Sequence, residues 1–166
     1  FAAQGVLVAL LERERSGEGQ WVRTSLLEAM IAMLDFQATR WLMDKEVPPQ
    51  AGNNHPTSIP TGTFRAKDGH LNIAAGGQHM WKRVCTALEI PEQYEDPRFA
   101  TAGKRSKNRD ALTVVLEEKL HTKTVAEWVE ILNAAGVPTG PILSIDQVFA
   151  NEQVRHLGIA TPLAHP

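Results

Sequence analysis

Two short segments combine residue types that could take part in chemistry. The first, NNHP at positions 53–56, places two amide side chains and a titratable imidazole before a proline that stiffens the backbone. The second, GGQ at positions 76–78, follows a short apolar run and opens a helical pattern, so its backbone amides could bind an anion or a carbonyl oxygen. A surface linker and a tight corner are the structural alternatives, and the pattern alone favours them.

The sequence gives little indication of a metal site, a cysteine nucleophile or an acid–base pair. The six histidines are scattered without the spacing of metal ligands, so we expect no metal site. Cys85 is the single cysteine and lies on the apolar stripe of a predicted helix, so we expect a buried thiol, not a nucleophile. Asp44, Asp68 and Asp96 each have a local structural task, and no acid–base pair is visible.

The composition is that of a soluble globular protein. A net charge of −2 gives no electrostatic basis for binding nucleic acid, and the basic residues Lys104, Arg105 and Lys107 are expected to form a solvated face. No stretch approaches the ~20 consecutive apolar residues that would cross a membrane. A lone cysteine fits a reducing compartment, so a cytoplasmic location is expected.

The first part of the chain is predicted to be mainly helical. Residues 1–15 form a helix that SGEG at 16–19 ends, and residues 20–24 are a short strand candidate. A capping box at Ser25 and Glu28 begins a long helix to about residue 46, which would extend roughly 30 Å. Pro48-Pro49 ends it, and the turn-rich residues 51–60 form a linker loop.

The second part alternates short strands with helices, which predicts an α+β fold. Strands at 63–66 and 70–74 are joined by Asp68-Gly69, a pair typical of a two-residue hairpin turn. Helices follow at 78–88 and from residue 106 or 107 to 120, with a loop between them. Thr124 caps another helix that Gly136 ends, 137–142 is an extended connector, Ser144 caps a helix over 145–150, and a strand is possible from about residue 158.

Four segments, taken together, resemble a known family. They occur in this order: AAQGVLVALLERERSGEGQWVRTSLLEAM, AGNNHPTSIPTGTFRAKDGHLNIAAG, DPRFATAGKRSKNRDAL and TVAEWVEILNAAGVPTGPILSIDQVF. The chain closely resembles the family III CoA-transferases, of the formyl-CoA transferase and carnitine CoA-transferase type. That family also includes the α-methylacyl-CoA racemases.

The resemblance implies a two-domain subunit that interlocks with a second copy to form a homodimer. Residues 1–50 would supply a large-domain helix, a short strand and a long connecting helix. Residues 51–60 would be the linker loop, 61–142 the small α+β domain, and 143–166 the return segment toward the large domain. On this map we expect the chain to be an internal fragment.

The resemblance also implies an acyl-CoA:carboxylate CoA-transferase that works through an aspartyl mixed anhydride. The family's nucleophilic aspartate would lie upstream of residue 1, so we expect no catalytic residue in this chain and no activity of the fragment alone. The substrates would be a coenzyme A thioester and a carboxylic acid, with no tightly bound cofactor. The expected substrate-binding residues are Asn53, Asn54, His55, Gly76, Gly77 and Gln78.

Two alternatives stay open. The first is an α-methylacyl-CoA racemase or epimerase, but in that branch the turn at 76–79 carries an acidic residue that is missing here. The second is a non-catalytic dimerisation module. The loop from Gly52 to Pro56 also has fewer glycines than the formyl-CoA enzymes carry at the matching place.

Overall fold

The computed structural model describes residues 1–164. Contacts within the chain separate it into two compact units, one formed by Phe1–Pro49 and one that begins at Gln50.

The first unit is helical. Helix α1 spans Ala2–Ser16, α2 spans Leu26–Ala32, α3 spans Phe36–Thr39, and a π-helical turn occupies Arg40–Asp44. Gly17 ends α1 with φ 76°, and its N–H donates to the carbonyl of Arg13 at 2.8 Å. The predicted first helix and its glycine stop are therefore confirmed.

Two expectations for this unit are wrong. The continuous helix over 26–46 is interrupted at Asp35, whose φ of 49° leaves the right-handed region, and the chain turns there through short bonds such as Gln37 N–H to Leu34 O at 3.0 Å. The spacing of apolar residues predicts which side chains share a helix face. It does not reveal that a single residue, here Asp35, has a positive φ. Residues 20–24 form no strand, because no other strand of this unit is available to pair with them.

The second unit contains a three-stranded antiparallel sheet in the order β1-β2-β3. Its strands are β1 Thr61–Arg65, β2 His70–Ala74 and β3 Thr139–Pro141, and Phe64 pairs with Leu71 in the first ladder. The helices are α4 Gln78–Ala87, α5 Glu92–Glu95, α6 Ala102–Lys107, α7 Arg109–Leu120, α8 Val125–Ala134, α9 Ile145–Ala150 and α10 Glu152–His156.

The core of this unit lies between one face of the sheet and the helices. Alternate residues of β2, Leu71 and Ile73, are fully buried, as the two-residue period of a strand requires. Helices α4, α7 and α8 cover them with apolar side chains, among them Trp81, Leu116 and Leu132. The predicted mixed α+β architecture is confirmed.

The hairpin between β1 and β2 is wider than predicted. Residues 66–69 connect the strands, Ala66 N–H donates to Gly69 O at 2.9 Å, and neither Asp68 nor Gly69 has a positive φ. The Asp68 carboxylate instead accepts from Val125 N–H at 2.8 Å, at the beginning of α8. An acidic group is favourable at a helix N-terminus. This contact crosses 57 residues of sequence, so the turn composition gave no indication of it.

Two further segments differ from expectation. Residues 90–105, predicted as loop, contain α5 and most of α6, and the connector at 137–142 contains β3. Residues 158–164 form no strand, and the remainder of that candidate strand lies outside the described residues. The capping box at Thr124 is confirmed, and Ser144 is the N-cap residue of α9, where its backbone N–H donates to Gln147 Oε1 at 2.9 Å.

Across residues 1–164, no helix combines the length and apolar character needed to cross a membrane.

The first unit leaves apolar side chains uncovered. None of its residues is fully buried, and Leu7 and Leu11 on α1 are 61% and 68% exposed. Contiguous apolar surface of this kind tends to be covered by association.

We therefore expect the isolated 166-residue chain to self-associate in solution, as measured by light scattering across a concentration series. Replacing both Leu7 and Leu11 with glutamate should reduce the association, because charges would then occupy the apolar stripe. The matched control is Val114→Glu, an exposed position of the second unit. A monomer at high concentration would contradict the expectation.

Candidate functional site

The loop at residues 53–58 is held along the free edge of β1. His55 N–H donates to Thr61 O at 2.8 Å, and Thr63 N–H donates to Asn53 O at 3.1 Å. Asn54 forms an isolated antiparallel bridge with Gly62. A Cβ added to Gly62 would lie 2.6 Å from Asn54 Oδ1. The lack of a side chain at Gly62 therefore lets the loop approach the strand closely.

The His55 ring shapes the loop. Its Nδ1 accepts hydrogen bonds from Thr57 N–H at 3.2 Å and Ser58 N–H at 2.9 Å, which places the ring proton on Nε2 in this arrangement. From α7, Arg109 Nη2 donates to His55 O at 3.3 Å and to Pro56 O at 3.0 Å. The loop is thus fixed from both sides.

The glycine corner at residues 76–78 connects β2 to α4. Gly77 has φ 84° and ψ 167°, a combination that only glycine adopts without strain, and a Cβ there would meet nothing within 4 Å. No side chain caps α4, and Gly77 and Gln78 are both exposed. Backbone amides at such a helix start can bind a carboxylate or a carbonyl oxygen.

The loop and the corner meet at Ser58. A Cβ on Gly76 would lie 1.7 Å from Ser58 Oγ, and Ala75 N–H donates to Pro60 O at 3.0 Å. Ser58 therefore contacts both the His55 ring and Gly76. The two asparagines of the loop lie at its other end, along β1.

A buried arginine fastens the corner, and sequence reasoning missed it. Arg105 is 0% exposed, and its guanidinium makes four hydrogen bonds. Nε donates to Ile59 O at 2.8 Å, Nη1 donates to Gln78 Oε1 at 3.0 Å and Phe99 O at 2.9 Å, and Nη2 donates to Gly77 O at 3.4 Å. The assignment of Arg105 to a solvated face is wrong, although Lys104 and Lys107 are exposed as expected.

The prediction failed because Arg105 contacts residues that are far from it in the sequence. Arg105 reaches Ile59 across 46 residues of sequence, whereas charge patterning considers only neighbours along the chain. The usable indication was the four-residue spacing of Arg105 and Arg109, since both side chains reach the segment from His55 to Ile59. Burial lowers the pKa of the Arg105 guanidinium, which has no carboxylate among its hydrogen-bond partners.

Cys85 is buried, as predicted. It is 1% exposed, and burial raises the pKa of its thiol to about 12, against a smaller lowering effect of Arg105. A protonated, enclosed thiol is not a nucleophile at neutral pH. Within residues 1–164, no group of three or more His, Cys, Asp or Glu side chains is placed to hold a metal ion.

The contact between Gly76 and Ser58 can be tested by a double-mutant cycle. Gly76→Ala should lower the free energy of unfolding by ~1–3 kcal/mol, because the new methyl group forces Ser58 to move. Ser58→Ala removes the closest atom, so the double variant should recover part of this loss in denaturant titrations. Strictly additive effects would mean that the loop and the corner do not touch here.

The chain is similar to known proteins along its full length. A family model described as CoA-transferase family III matches residues 1–166. A mouse protein, succinyl-CoA:glutarate CoA-transferase, is 32% identical over 100% of this chain, and acetyl-CoA:oxalate CoA-transferase of Acetobacter aceti is 35% identical over 87% of it. The chain spans 38% and 37% of the length of these two relatives.

A solved structure agrees with these matches. The crystal structure of a CAIB/BAIF family protein from Brucella suis superposes with a TM-score of 0.73 at 36% identity, covering 92% of this chain and 40% of that one. With the sequence match over residues 1–166, this shows that the chain belongs to CoA-transferase family III.

Proposed function

We propose that the protein carrying this sequence transfers coenzyme A from an acyl-CoA to a carboxylic acid, using an aspartate outside residues 1–166 as the nucleophile. The observation that carries this proposal is the match to the family over the whole chain. It is supported by relatives named for CoA transfer between dicarboxylic acids. No observation on this chain favours a racemase.

The proposed chemistry proceeds through covalent intermediates. The aspartate carboxylate attacks the thioester carbonyl, which releases CoA thiolate and leaves an acyl–aspartyl anhydride. The thiolate then attacks the aspartyl carbonyl, which expels the donor acid and leaves an aspartyl-CoA thioester. The acceptor carboxylate repeats the sequence in reverse and departs as the new acyl-CoA. Covalent catalysis divides one difficult exchange into easier steps.

This chain would provide donors and enclosure for that chemistry. Each tetrahedral intermediate develops an oxyanion that needs hydrogen-bond donors. The exposed, uncapped corner at Gly77 and Gln78 offers backbone amides, and the loop carrying Asn53, Asn54 and His55 would exclude water from the reactive anhydride. Gly76 would keep that loop close to the corner.

The domain map belongs to the same proposal. Residues 61–142 form the small domain, 51–60 its linker loop, 1–50 the large-domain and connecting elements, and 143–166 the return segment, and two copies interlock in the cytoplasm. The boundary between the contact units after Pro49 and the apolar surface of the first unit support this arrangement.

Hydroxylamine trapping tests the mechanism. The complete gene product, incubated with succinyl-CoA and hydroxylamine, should convert one aspartate to its hydroxamate, because both the anhydride and the aspartyl thioester react with this nucleophile. Peptide mass spectrometry locates the modified residue, and an incubation without acyl-CoA is the control.

The outcomes separate the candidate functions. CoA transfer without a hydroxamate would exclude the aspartyl intermediate. Exchange of an α-proton with solvent deuterium, without need of a second acid, would identify a racemase. If the complete protein shows neither CoA transfer nor proton exchange, a binding or dimerisation module is the remaining candidate.

Asn53 provides a test of the loop. Its side chain is exposed and makes no hydrogen bond among the described residues, so Asn53→Ala should leave the melting temperature almost unchanged. If the side chain contacts substrate, kcat/KM of the complete protein should fall up to about tenfold, the value of one hydrogen bond. Asn72→Ala, at an exposed position of β2, is the matched control. Equal kcat/KM values for both variants would remove Asn53 from the site.

A further inference from the structure

We propose that Arg105 is a positioning residue that fixes the side-chain amide of Gln78 with its NH₂ group outward, as a donor to an oxygen anion of a carboxylate or thioester substrate. The catalytic part of this role rests on the proposed function. The positioning itself rests on the contacts of the guanidinium.

The guanidinium joins three separate parts of the chain. Its acceptors are Ile59 at the end of the linker loop, Phe99 in the segment before α6, and Gly77 with Gln78 at the corner, at N–O distances of 2.8 to 3.4 Å. A planar guanidinium presents its donors in a fixed fork, so the positions of these acceptors are fixed relative to one another. A lysine ammonium could not reach all of them with one geometry.

Arg105 is a cation in a buried position, which is an unusual place for a charged side chain. A buried cation without a carboxylate partner is unfavourable unless its hydrogen bonds are satisfied, and all four acceptors here are neutral. The guanidinium also lies over the Trp81 ring, 5.6 Å from its centroid, which restrains its plane. A side chain that only filled space in the core would need neither the four hydrogen bonds nor the contact with the Trp81 ring.

The contact with Gln78 determines which way its amide faces. Arg105 carries only donors, so the group that faces it must be the carbonyl oxygen Oε1, at 3.0 Å from Nη1. The NH₂ group of the exposed Gln78 is therefore left as the outward donor, beside the uncapped amides at the start of α4. The Gln78 NH₂ group and the uncapped amides at the start of α4 are all hydrogen-bond donors.

Two variants of the complete gene product test this assignment. Gln78→Glu keeps an oxygen toward Arg105. It replaces the outward NH₂ donor with a second carboxylate oxygen and adds a negative charge there, so amide hydrogen exchange should stay as in the wild type while kcat falls about 10²-fold or more. Arg105→Lys should accelerate exchange in residues 59–60 and 76–79 and reduce kcat by about 10- to 100-fold, because the donors are displaced. The KM for acyl-CoA should change far less.

Two controls separate positioning from general stability. Lys104→Met removes an exposed cation from the same helix and should leave kcat unchanged. Leu132→Ala weakens the core in α8 and should lower the melting temperature without lowering kcat at temperatures where the protein is folded. If Leu132→Ala loses as much kcat as Arg105→Lys, the positioning role is wrong.

Other results would also overturn the assignment. Wild-type kcat in Gln78→Glu would exclude the donor role of Gln78, and unchanged exchange in Arg105→Lys would exclude positioning. If the wild type transfers no CoA, the proposed function fails. Succinate binding then tests the positioning role of Arg105 independently of that function. Succinate should shift the ¹⁵N-detected Gln78 side-chain NH₂ signals in the wild type and not in Arg105→Lys, and no shift in the wild type would refute the proposal.

Discussion

The buried guanidinium of Arg105 is the constraint on which the candidate site depends. Strands β1 and β2 separate the loop at 53–58 from the glycine corner, and neither the loop nor Gly76-Gly77 belongs to a helix or a strand. Irregular backbone keeps one conformation only where other groups fix it. Arg105 donates to Ile59 O, directly after the loop, and to Gly77 O and Gln78 Oε1 at the corner, so it ties the two segments together. Arg109 holds the loop itself through His55 O and Pro56 O.

The site offers hydrogen-bond donors and close approach to the backbone. Gly77 has space beside it and an amide-rich helix start, Gly76 lies against Ser58, and the Cys85 thiol is enclosed and protonated. Such a set can stabilise negative charge that develops on an oxygen atom. This is the contribution that the proposed function asks of these residues.

The elements that the sequence predicted well are those decided by neighbours. The helix stop at Gly17, the capping box at Thr124, the cap at Ser144 and the strand at 70–74 each depend on residues within about four positions. The continuous helix through Asp35 failed because one residue in a left-handed conformation leaves the apolar spacing unchanged. The strand at 20–24 failed because a strand needs a partner that local propensity does not supply.

The sequence by itself determined the family resemblance, the mixed α+β composition and the two segments that could meet a substrate, because these depend on residue types and their order. Only the tertiary structure decided that Asp68 accepts from the first amide of α8, that Ser58 lies against Gly76, and that Arg105 is buried. Asp68 and Val125 are 57 positions apart, and three of the four Arg105 hydrogen bonds span 27, 28 and 46 positions. Their energy comes from desolvation and hydrogen-bond geometry, which exist only once the chain has folded.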